Sequence, residues 1–224
     1  GGPEMRRRFV LWVAFHVDHD HLHAGRRIRR AYKQPNAALR SRASAASILS
    51  WNTEFVELSA LLVESRQRAL DVAFDSLVEY GAGLLGTELG FAYQPGWNKD
   101  RSLEQALEEG FERDLQQGST QHGPHRADLK ISYDERQARK LVSRGQQKLL
   151  ASAMILAATE TAQTALERPL LLLLDDPAAE LDAESLARLL AAVHGLGCQV
   201  VASSLERHTL ETPSGAAVFH VEHG

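Results

Sequence analysis

The sequence predicts an α/β fold in which an arm of antiparallel helices precedes a parallel-rich sheet with helices. The sheet is indicated by five consecutive leucines at residues 170–174, a length typical of a strand buried on both faces. A helical pattern and a second strand pattern at residues 199–203 follow, which is the order of a parallel α/β layer. The arm is indicated by a helical stretch over residues 52–80 with a seam near coiled-coil spacing. Its apolar positions are Phe55, Leu58, Leu62, Ala69, Ala73 and Leu77.

Composition restricts the class of protein. The chain has 224 residues, 44% of them hydrophobic and 24% charged, which is ordinary for one large or two small soluble domains. A single cysteine, Cys198, excludes an internal disulfide and suits a reducing cytosol, so we expect a cytoplasmic protein. The first residues resemble no signal peptide, and no apolar run reaches membrane-spanning length, so no membrane partner is expected.

The charge is unevenly distributed. The net charge is −4, yet residues 21–53 contain seven basic residues and no acidic one. This asymmetry predicts a local anionic partner, and DNA is the partner we expect, contacted along its phosphates and not read by sequence. The alternative is a solvated helix face. The candidate DNA-binding residues are Arg26, Arg27, Arg29, Arg30 and Lys33.

The N-terminal region is predicted to be helical over residues 6–31, with an interruption at Pro35 and Asn36 and a restart after it. Histidines crowd at the centre of this helix together with Asp18 and Asp20. Alternation spreads His19, His21 and His23 around a helix, and no cysteine accompanies them, so a solvated polar patch is preferred to a metal site.

The middle of the chain is predicted to contain connecting elements. Residues 81–87 imitate the glycine spacing of a phosphate loop, but the required lysine is missing, so a helix end and a turn are predicted. Strands are predicted at residues 88–93 and 128–133, and an amphipathic helix at residues 102–116. Residues 123–124 and 134–137 are predicted to be turns, and residues 216–221 a last strand.

The stretch from residue 143 onward carries the candidate site. Ser143 and Gln146 have the spacing of a capping box, which places Gly145 in the first turn of a helix. A glycine there allows close approach of another molecule, and a helix N-terminus suits phosphate. The helix is predicted to bury one stripe and to end before Pro169. The stripe consists of Leu149, Leu150, Ala153, Met154, Ala157, Thr161 and Ala165.

Two adjacent carboxylates, Asp175 and Asp176, follow the leucine run. At the carboxyl end of a parallel strand they lie where α/β folds bind ligands. Carboxylate oxygens are the ligands that Mg²⁺ prefers, so a magnesium site is expected there.

These motifs resemble those of ABC-type ATPases. Ser143-Arg144-Gly145-Gln146 looks like the signature motif, residues 170–176 like the Walker B strand, and Glu180-Leu181-Asp182 like the D-loop. The wording Ser-Arg-Gly-Gln-Gln-Lys-Leu-Leu, together with residues 123–128, is similar to the RecF family of bacterial recombination mediators. The fold expected from the resemblance is the C-terminal half of an ABC-type ATPase core plus a helical arm.

The resemblance also implies roles and cofactors. ATP and Mg²⁺ are the implied cofactors, Asp175 would hold the Mg²⁺ through water, and Asp176 would orient or deprotonate the attacking water. The signature residues would contact the γ-phosphate bound by a partner subunit in an ATP-dependent homodimer. Asp182 would cross the same interface, and Ser203 and Ser204 occupy the place of a switch histidine.

The implied function is DNA replication and repair: binding of single-stranded and duplex DNA at gaps or junctions, and help in loading recombinase, with the RecO and RecR proteins as partners. The loop G-x-x-x-x-G-K-[ST] is absent from the sequence. We therefore expect residues 1–85 to be a helical arm and residues 86–224 the C-terminal part of an ATPase domain, inactive alone. The alternatives are a non-catalytic DNA-binding and dimerisation module, or another SMC-like ABC ATPase head.

Residues 123–128 are typical of the family but leave two interpretations open. Either His125 or Arg126 lies near nucleotide or DNA, or the segment is a turn closed by a pair between Arg126 and Asp128.

Overall fold

The structure, a computed structural model, describes residues 3–133, 136–137, 143–205 and 215–221. Its elements begin with four helices and continue with short strands that alternate with further helices. In chain order they are α1 Pro3–Val17, α2 His21–Arg40, α3 Ala45–Ser50, α4 Asn52–Leu85, β1 Leu89–Gln94, α5 Leu103–Gln117, a 3₁₀ turn Pro124–Arg126, β2 Asp128–Tyr133, β3 Arg136–Gln137, α6 Arg144–Leu166, β4 Leu171–Leu174, α7 Ala183–Gly195 and β5 Gln199–Ala202.

The long helix α4 has 34 residues and packs against α1, α2 and α6. Every residue of its predicted apolar seam is buried. The helix ends at Gly86, which has a left-handed φ of 70°. Residues 81–87 are therefore a helix end and turn, which confirms the prediction and leaves no phosphate loop there.

The N-terminal prediction is wrong in two places. The chain breaks between α1 and α2 because the Asp18 carboxylate accepts the Asp20 N–H at 3.0 Å, forming a local turn. The second helix then continues through Pro35 to Arg40. Burial explains this continuation: Pro35 is almost fully buried, and the Asn36 side chain accepts the Thr120 N–H at 2.8 Å. These tertiary contacts outweigh the local cost of a proline within the helix.

The described strands form two separate sheets. β1 and β2 are antiparallel, with Leu89 opposite Tyr133, and β3 extends this sheet at residues 136–137, where a turn was predicted. Asp134 and Glu135 lie outside the described residues. β4 and β5 are parallel, with Leu171 opposite Gln199, as the sequence predicts. Residues 216–221 form no strand, which corrects the predicted last strand.

The leucine strand is buried on one face only, contrary to the prediction. Leu172 is 6% exposed and packs with residues of α6 and α7, such as Leu149 and Leu189. Leu171 and Leu173 are 55% and 68% exposed, because no part of the chain that the structure describes covers their face.

The helix α6 is apolar and long enough, by length and composition, to cross a membrane. It is nevertheless a core helix here, packed against α1, α4 and α7. Its predicted stripe is buried except at Ala165, which is exposed in the last turn. Among the described helices, α4 and α6 make the most extensive contact, and this packing joins the arm to the β4–β5 layer.

Candidate functional site

The N-terminus of α6 forms the predicted capping box. Ser143 Oγ accepts the Gln146 N–H at 3.2 Å, and Gln146 Oε1 accepts the Ser143 N–H at 2.9 Å. Both side chains satisfy N–H groups that the helix itself leaves without partners. Arg144 is the first helical residue and Gly145 lies in the first turn. The prediction of a helix that begins at this motif is confirmed.

A pocket of about 430 Å³ lies at this helix start. The signature-like and D-loop-like segments, which are distant in sequence, meet around it. The end of α4 and the first turns of α7 complete its wall. The lining residues are Leu84, Leu85, Ser143, Gly145, Gln146, Leu149, Glu180, Leu181, Asp182, Ser185 and Arg188.

Two helix N-termini face this pocket. Asp182 caps α7, since its carboxylate accepts the Ser185 N–H at 2.7 Å, and this hydrogen bond is the main reason that the pKa of Asp182 is lowered. At α6 the cap is a neutral serine, so the positive end of that helix dipole is not neutralised by its own capping residue. The N-terminus of α6 is therefore suited to bind an anion in this pocket.

Charged side chains border the same pocket. The guanidinium of Arg188 donates to Glu184 Oε1 at 3.1 Å and to Ser185 Oγ at 3.2 Å, and its buried Nε has no hydrogen-bond partner among the described residues. Arg144 and Glu180 form an exposed pair at 4.0 Å, which contributes little to stability. Arg188 thus brings a guanidinium, paired with Glu184, to the wall of the pocket, which the sequence alone did not reveal.

The adjacent carboxylates lie at the end of β4, outside the lining of this pocket. Ser203 Oγ donates to Asp175 Oδ1 at 2.7 Å and accepts the Asp176 N–H at 3.2 Å. The predicted hydroxyl at the switch position thus contacts both aspartates, while Ser204 follows it and is exposed. Asp175 with the Ser203 hydroxyl is an oxygen-rich set that suits Mg²⁺, which takes one or two carboxylates plus water and phosphate oxygens.

Lys148 connects the start of α6 to the turn that follows β4. It projects from the second turn of α6, and its Nζ donates to the carbonyl oxygens of Asp176 and Ala179, both at 2.8 Å. Asp176 itself has a left-handed φ of 42°. The sequence contained Lys148 within its family-like wording, but only the three-dimensional contact shows what the lysine touches.

The basic segment lies on α2, and none of its residues is among those that line the pocket. Ile28 and Ala31 point into the arm, where they pack with residues of α4 and α5. The five predicted DNA-binding residues alternate with these positions and are all exposed. Within the described part of the chain, none of the five forms an ion pair or hydrogen bond.

The histidine patch is partly buried, contrary to the prediction. His21 is 5% exposed, and its Nδ1 lies 2.9 Å from Ser65 Oγ. Burial lowers the pKa of His21, with a further contribution from the Arg66 cation. The His16 ring lies beside that of Trp12, tilted by 57°, with ring centroids 4.2 Å apart. Among the described residues, no group of three or more His, Cys, Asp or Glu side chains is placed to hold a metal.

Residues 123–128 do not form the pair between Arg126 and Asp128 that one of the two open interpretations proposed. Asp128 instead binds Arg6 of α1 through two hydrogen bonds of 3.0 and 2.6 Å, because β2 packs beside α1. Arg126 donates to the side chain of Gln121. The nearly buried Arg66, which the sequence did not single out, donates to the Pro124 carbonyl at 2.8 Å.

His125 packs against α2 of the arm. Its Nε2 lies 3.0 Å from the carbonyl oxygen of Thr120, and its ring centroid lies 4.4 Å from that of Tyr32. Burial lowers its pKa to about 4. These contacts assign the segment a packing role between the arm and β2.

The architecture around the pocket defines a class of protein. A capped helix, a strand that ends in two aspartates and a following turn that returns to the helix are arranged as in the head of an ABC-type ATPase. Two solved structures of the recombination mediator protein RecF in the RecFOR pathway, with ATP and with ATPrS, share the fold. Both have a TM-score of 0.78 at 21% and 20% identity, and the matches cover 93% and 95% of this chain and 59% and 60% of theirs.

Sequence comparison gives the family. The chain is 39% identical over 232 residues to a DNA replication and repair protein RecF of Chromohalobacter salexigens, and 34% identical over 230 residues to that of Hydrogenovibrio crunogenus. All of this chain is matched in both, but only 64% and 63% of the relatives' length. No protein-family model matches. The chain belongs to the RecF family.

Proposed function

We propose that this chain supplies the signature face of an ATP-dependent DNA replication and repair protein. The observation that carries the proposal is the pocket at which the capped start of α6 meets residues 180–182. In a homodimer this face would close on the nucleotide held by a second subunit. Because ATP would bind the closed dimer better than the separate subunits, it would shift the population toward the dimer.

The residues of the pocket suit a phosphate that arrives from outside the chain. The Ser143 hydroxyl and the N–H groups of the first turn of α6 would donate to the γ-phosphate oxygens. Gly145 adds no side chain between the helix and that phosphate. Arg188 would add positive charge at the rim, and Asp182 would cross to the partner subunit.

The strand-end carboxylates would serve the nucleotide of their own subunit. Asp175 would hold Mg²⁺ through water, and the metal would neutralise charge on the phosphates. Asp176 would orient or deprotonate the attacking water. An aspartate reaches one methylene less far than a glutamate, so the turnover of the whole protein is expected to be slow and to depend on DNA.

DNA would bind along the exposed basic face of α2. Five cations there have no partner among the described residues, so they can neutralise backbone phosphates without first giving up an ion pair. The sequence contains no motif of the kind that reads DNA bases. Gaps and junctions between single- and double-stranded DNA would therefore be recognised by shape. RecO and RecR would be the partners and recombinase loading the outcome; in support, the solved structures that share the fold are of a recombination mediator protein in the RecFOR pathway.

A second candidate is a non-catalytic module for DNA binding and dimerisation. It is the function that would follow if the whole protein, like residues 1–224, contained no G-x-x-x-x-G-K-[ST] loop. In this case the pocket would close a dimer without contributing to hydrolysis by the chain itself.

The proposal is tested by the binding of the whole protein to gapped duplex DNA, followed by fluorescence anisotropy with and without ATP and Mg²⁺. ATP is expected to tighten binding by about fivefold or more, as is usual for coupled sites. An affinity for gapped DNA that ATP leaves unchanged would contradict the ATP-gated function and favour the non-catalytic module.

A further inference from the structure

Two residues of the turn at residues 176–182 adopt a backbone conformation that is uncommon for residues other than glycine. Asp176 and Glu180 have left-handed φ values of 42° and 65°. Such a conformation is costly for a residue with a side chain and persists only where surrounding contacts enforce it. Within the turn, the Ala179 N–H donates to the Asp176 carbonyl and the Leu181 N–H to the Ala178 carbonyl, both at 3.2 Å, and side chains from outside the turn add further contacts.

The structure shows where these contacts come from. On the side of β5, the Asp176 N–H donates to Ser203 Oγ at 3.2 Å. On the side of α6, the Asp176 and Ala179 carbonyls each accept a hydrogen bond from Lys148 Nζ at 2.8 Å. A lysine ammonium gives charge-assisted hydrogen bonds, which are stronger than neutral ones. One side chain thus fixes two points of the turn to α6.

We infer that Lys148 is a positioning residue: it fixes residues 176–182 against α6, and thereby sets the place of the Asp176 carboxylate relative to the capped helix start. The inference rests on the proposed function for the role of Asp176, but the contact itself does not depend on ATP. A phosphate of the second subunit's nucleotide that displaces the N-terminus of α6 would therefore also move the Asp176 carboxylate through Lys148. That carboxylate faces the nucleotide of its own subunit.

The geometry also explains why a lysine suits this position. The two carbonyl oxygens belong to residues three apart in a turn, and a compact ammonium with three donors can reach both. Lys148 is half-buried on the second turn of α6, and its ammonium group meets the turn. Methionine has a similar length and no donor, so the variant Lys148→Met removes the hydrogen bonds while retaining much of the packing.

The first test is hydrogen exchange of the whole protein without nucleotide. In Lys148→Met, amides in residues 176–182 are expected to exchange about fivefold faster or more, because the turn opens locally more often. Lys148→Arg, which retains charge and donors, is expected to recover most of the protection. Lys130→Met, a change at an exposed lysine of β2, should leave exchange in the turn unchanged. Unchanged exchange in Lys148→Met would overturn the inference, whether or not the protein hydrolyses ATP.

The second test separates positioning from binding. For ATP hydrolysis by the whole protein with DNA, Lys148→Met is expected to lower kcat about tenfold or more, while KM and ATP-dependent dimerisation stay within about twofold, since the lost hydrogen bonds lie at residues 176 and 179 and the capped start of α6 that closes the dimer is unchanged. Equal losses of kcat and of dimerisation would overturn the inference, because they would assign Lys148 to the phosphate-binding face. A wild-type protein without ATP turnover would instead refute the proposed function, and hydrogen exchange would still decide the role of Lys148.

Discussion

Gly145 lies directly against the carbonyl oxygen of Glu180: a Cβ atom at residue 145 would come within 2.9 Å of that oxygen. Real Cβ atoms do not approach a backbone oxygen so closely, so a larger residue must displace the turn. The sequence suggests that this glycine gives room to a ligand, and the structure adds a reason internal to the chain. The signature-like helix start and the D-loop-like turn fit together only because residue 145 has no side chain.

We predict that Gly145→Ala destabilises the protein by about 1–3 kcal/mol, the usual cost of forcing an extra carbon into a packed contact. The matched control is Gly83→Ala, because Gly83 is exposed within α4 and no described atom lies within 4 Å of the place that its Cβ would take. Alanine there is expected to stabilise the helix by roughly 0.5–1 kcal/mol. Urea denaturation of both variants measures the difference; equal stability of the two would show that the contact with Glu180 carries no strain.

The capped start of α6 could be predicted from the sequence, whereas the contacts at the end of β4 could not. Ser143 and Gln146 were predictable because a capping box is a local pattern whose partners lie three residues apart. Ser203 and Lys148 acquire their contacts only when β5 and α6 are brought beside the end of β4, which no local spacing encodes. The same distinction explains the fold: the seam of α4 follows from periodicity, whereas Pro35 remains helical because of burial that only the packed arm provides.

Acid is predicted to weaken the fold through His125. Burial lowers its pKa in the folded chain to about 4, below the usual value of 6.5. Its Nε2–H is used by Thr120, and its buried Nδ1 has no partner among the described residues, so a proton on Nδ1 would be unsatisfied. The unfolded chain therefore binds the proton more readily, and this contribution to stability is complete above about pH 6.5 and declines as the pH falls toward 4.

The measurement is urea denaturation at pH 7.5 and pH 5 for the wild type and His125→Gln, which retains a donor for Thr120 but does not titrate. The loss of stability between the two pH values should be smaller in the variant by about 1–2 kcal/mol, after allowance for partial solvent screening. His23→Gln, at an exposed histidine of α2, is the control and should follow the wild type. Identical pH dependence in all three proteins would show that His125 is not the group responsible.

DNA binding is predicted to depend on the basic face of α2. Replacing Arg26, Arg27, Arg29 and Arg30 by Gln in the whole protein removes up to four cations that can each neutralise a phosphate. Affinity for duplex DNA should fall, and the slope of log affinity against log salt should decrease in magnitude by about 0.9 for each phosphate that is no longer neutralised. The control exchanges Lys99 and Lys130, exposed lysines outside the segment, for Gln. A fall in affinity in the control but not in the α2 variant would place the DNA face elsewhere.

The proposed function depends above all on the capped start of α6 facing the nucleotide of a second subunit. In the whole protein, Ser143→Arg is expected to abolish ATP-driven dimerisation, since its long cation would occupy the pocket, while nucleotide binding by each subunit is retained. The change also removes a helix cap, which costs about 1 kcal/mol. Ser102→Arg removes the equivalent capping box of α5, away from the pocket, and controls for that cost.

Light scattering of the three proteins with and without ATP and Mg²⁺ tests this arrangement most directly. We predict that ATP doubles the mass of the wild type and of Ser102→Arg, and leaves Ser143→Arg monomeric although it still binds nucleotide. Normal ATP-driven dimerisation of Ser143→Arg would contradict the placement of this helix start at the nucleotide of the second subunit.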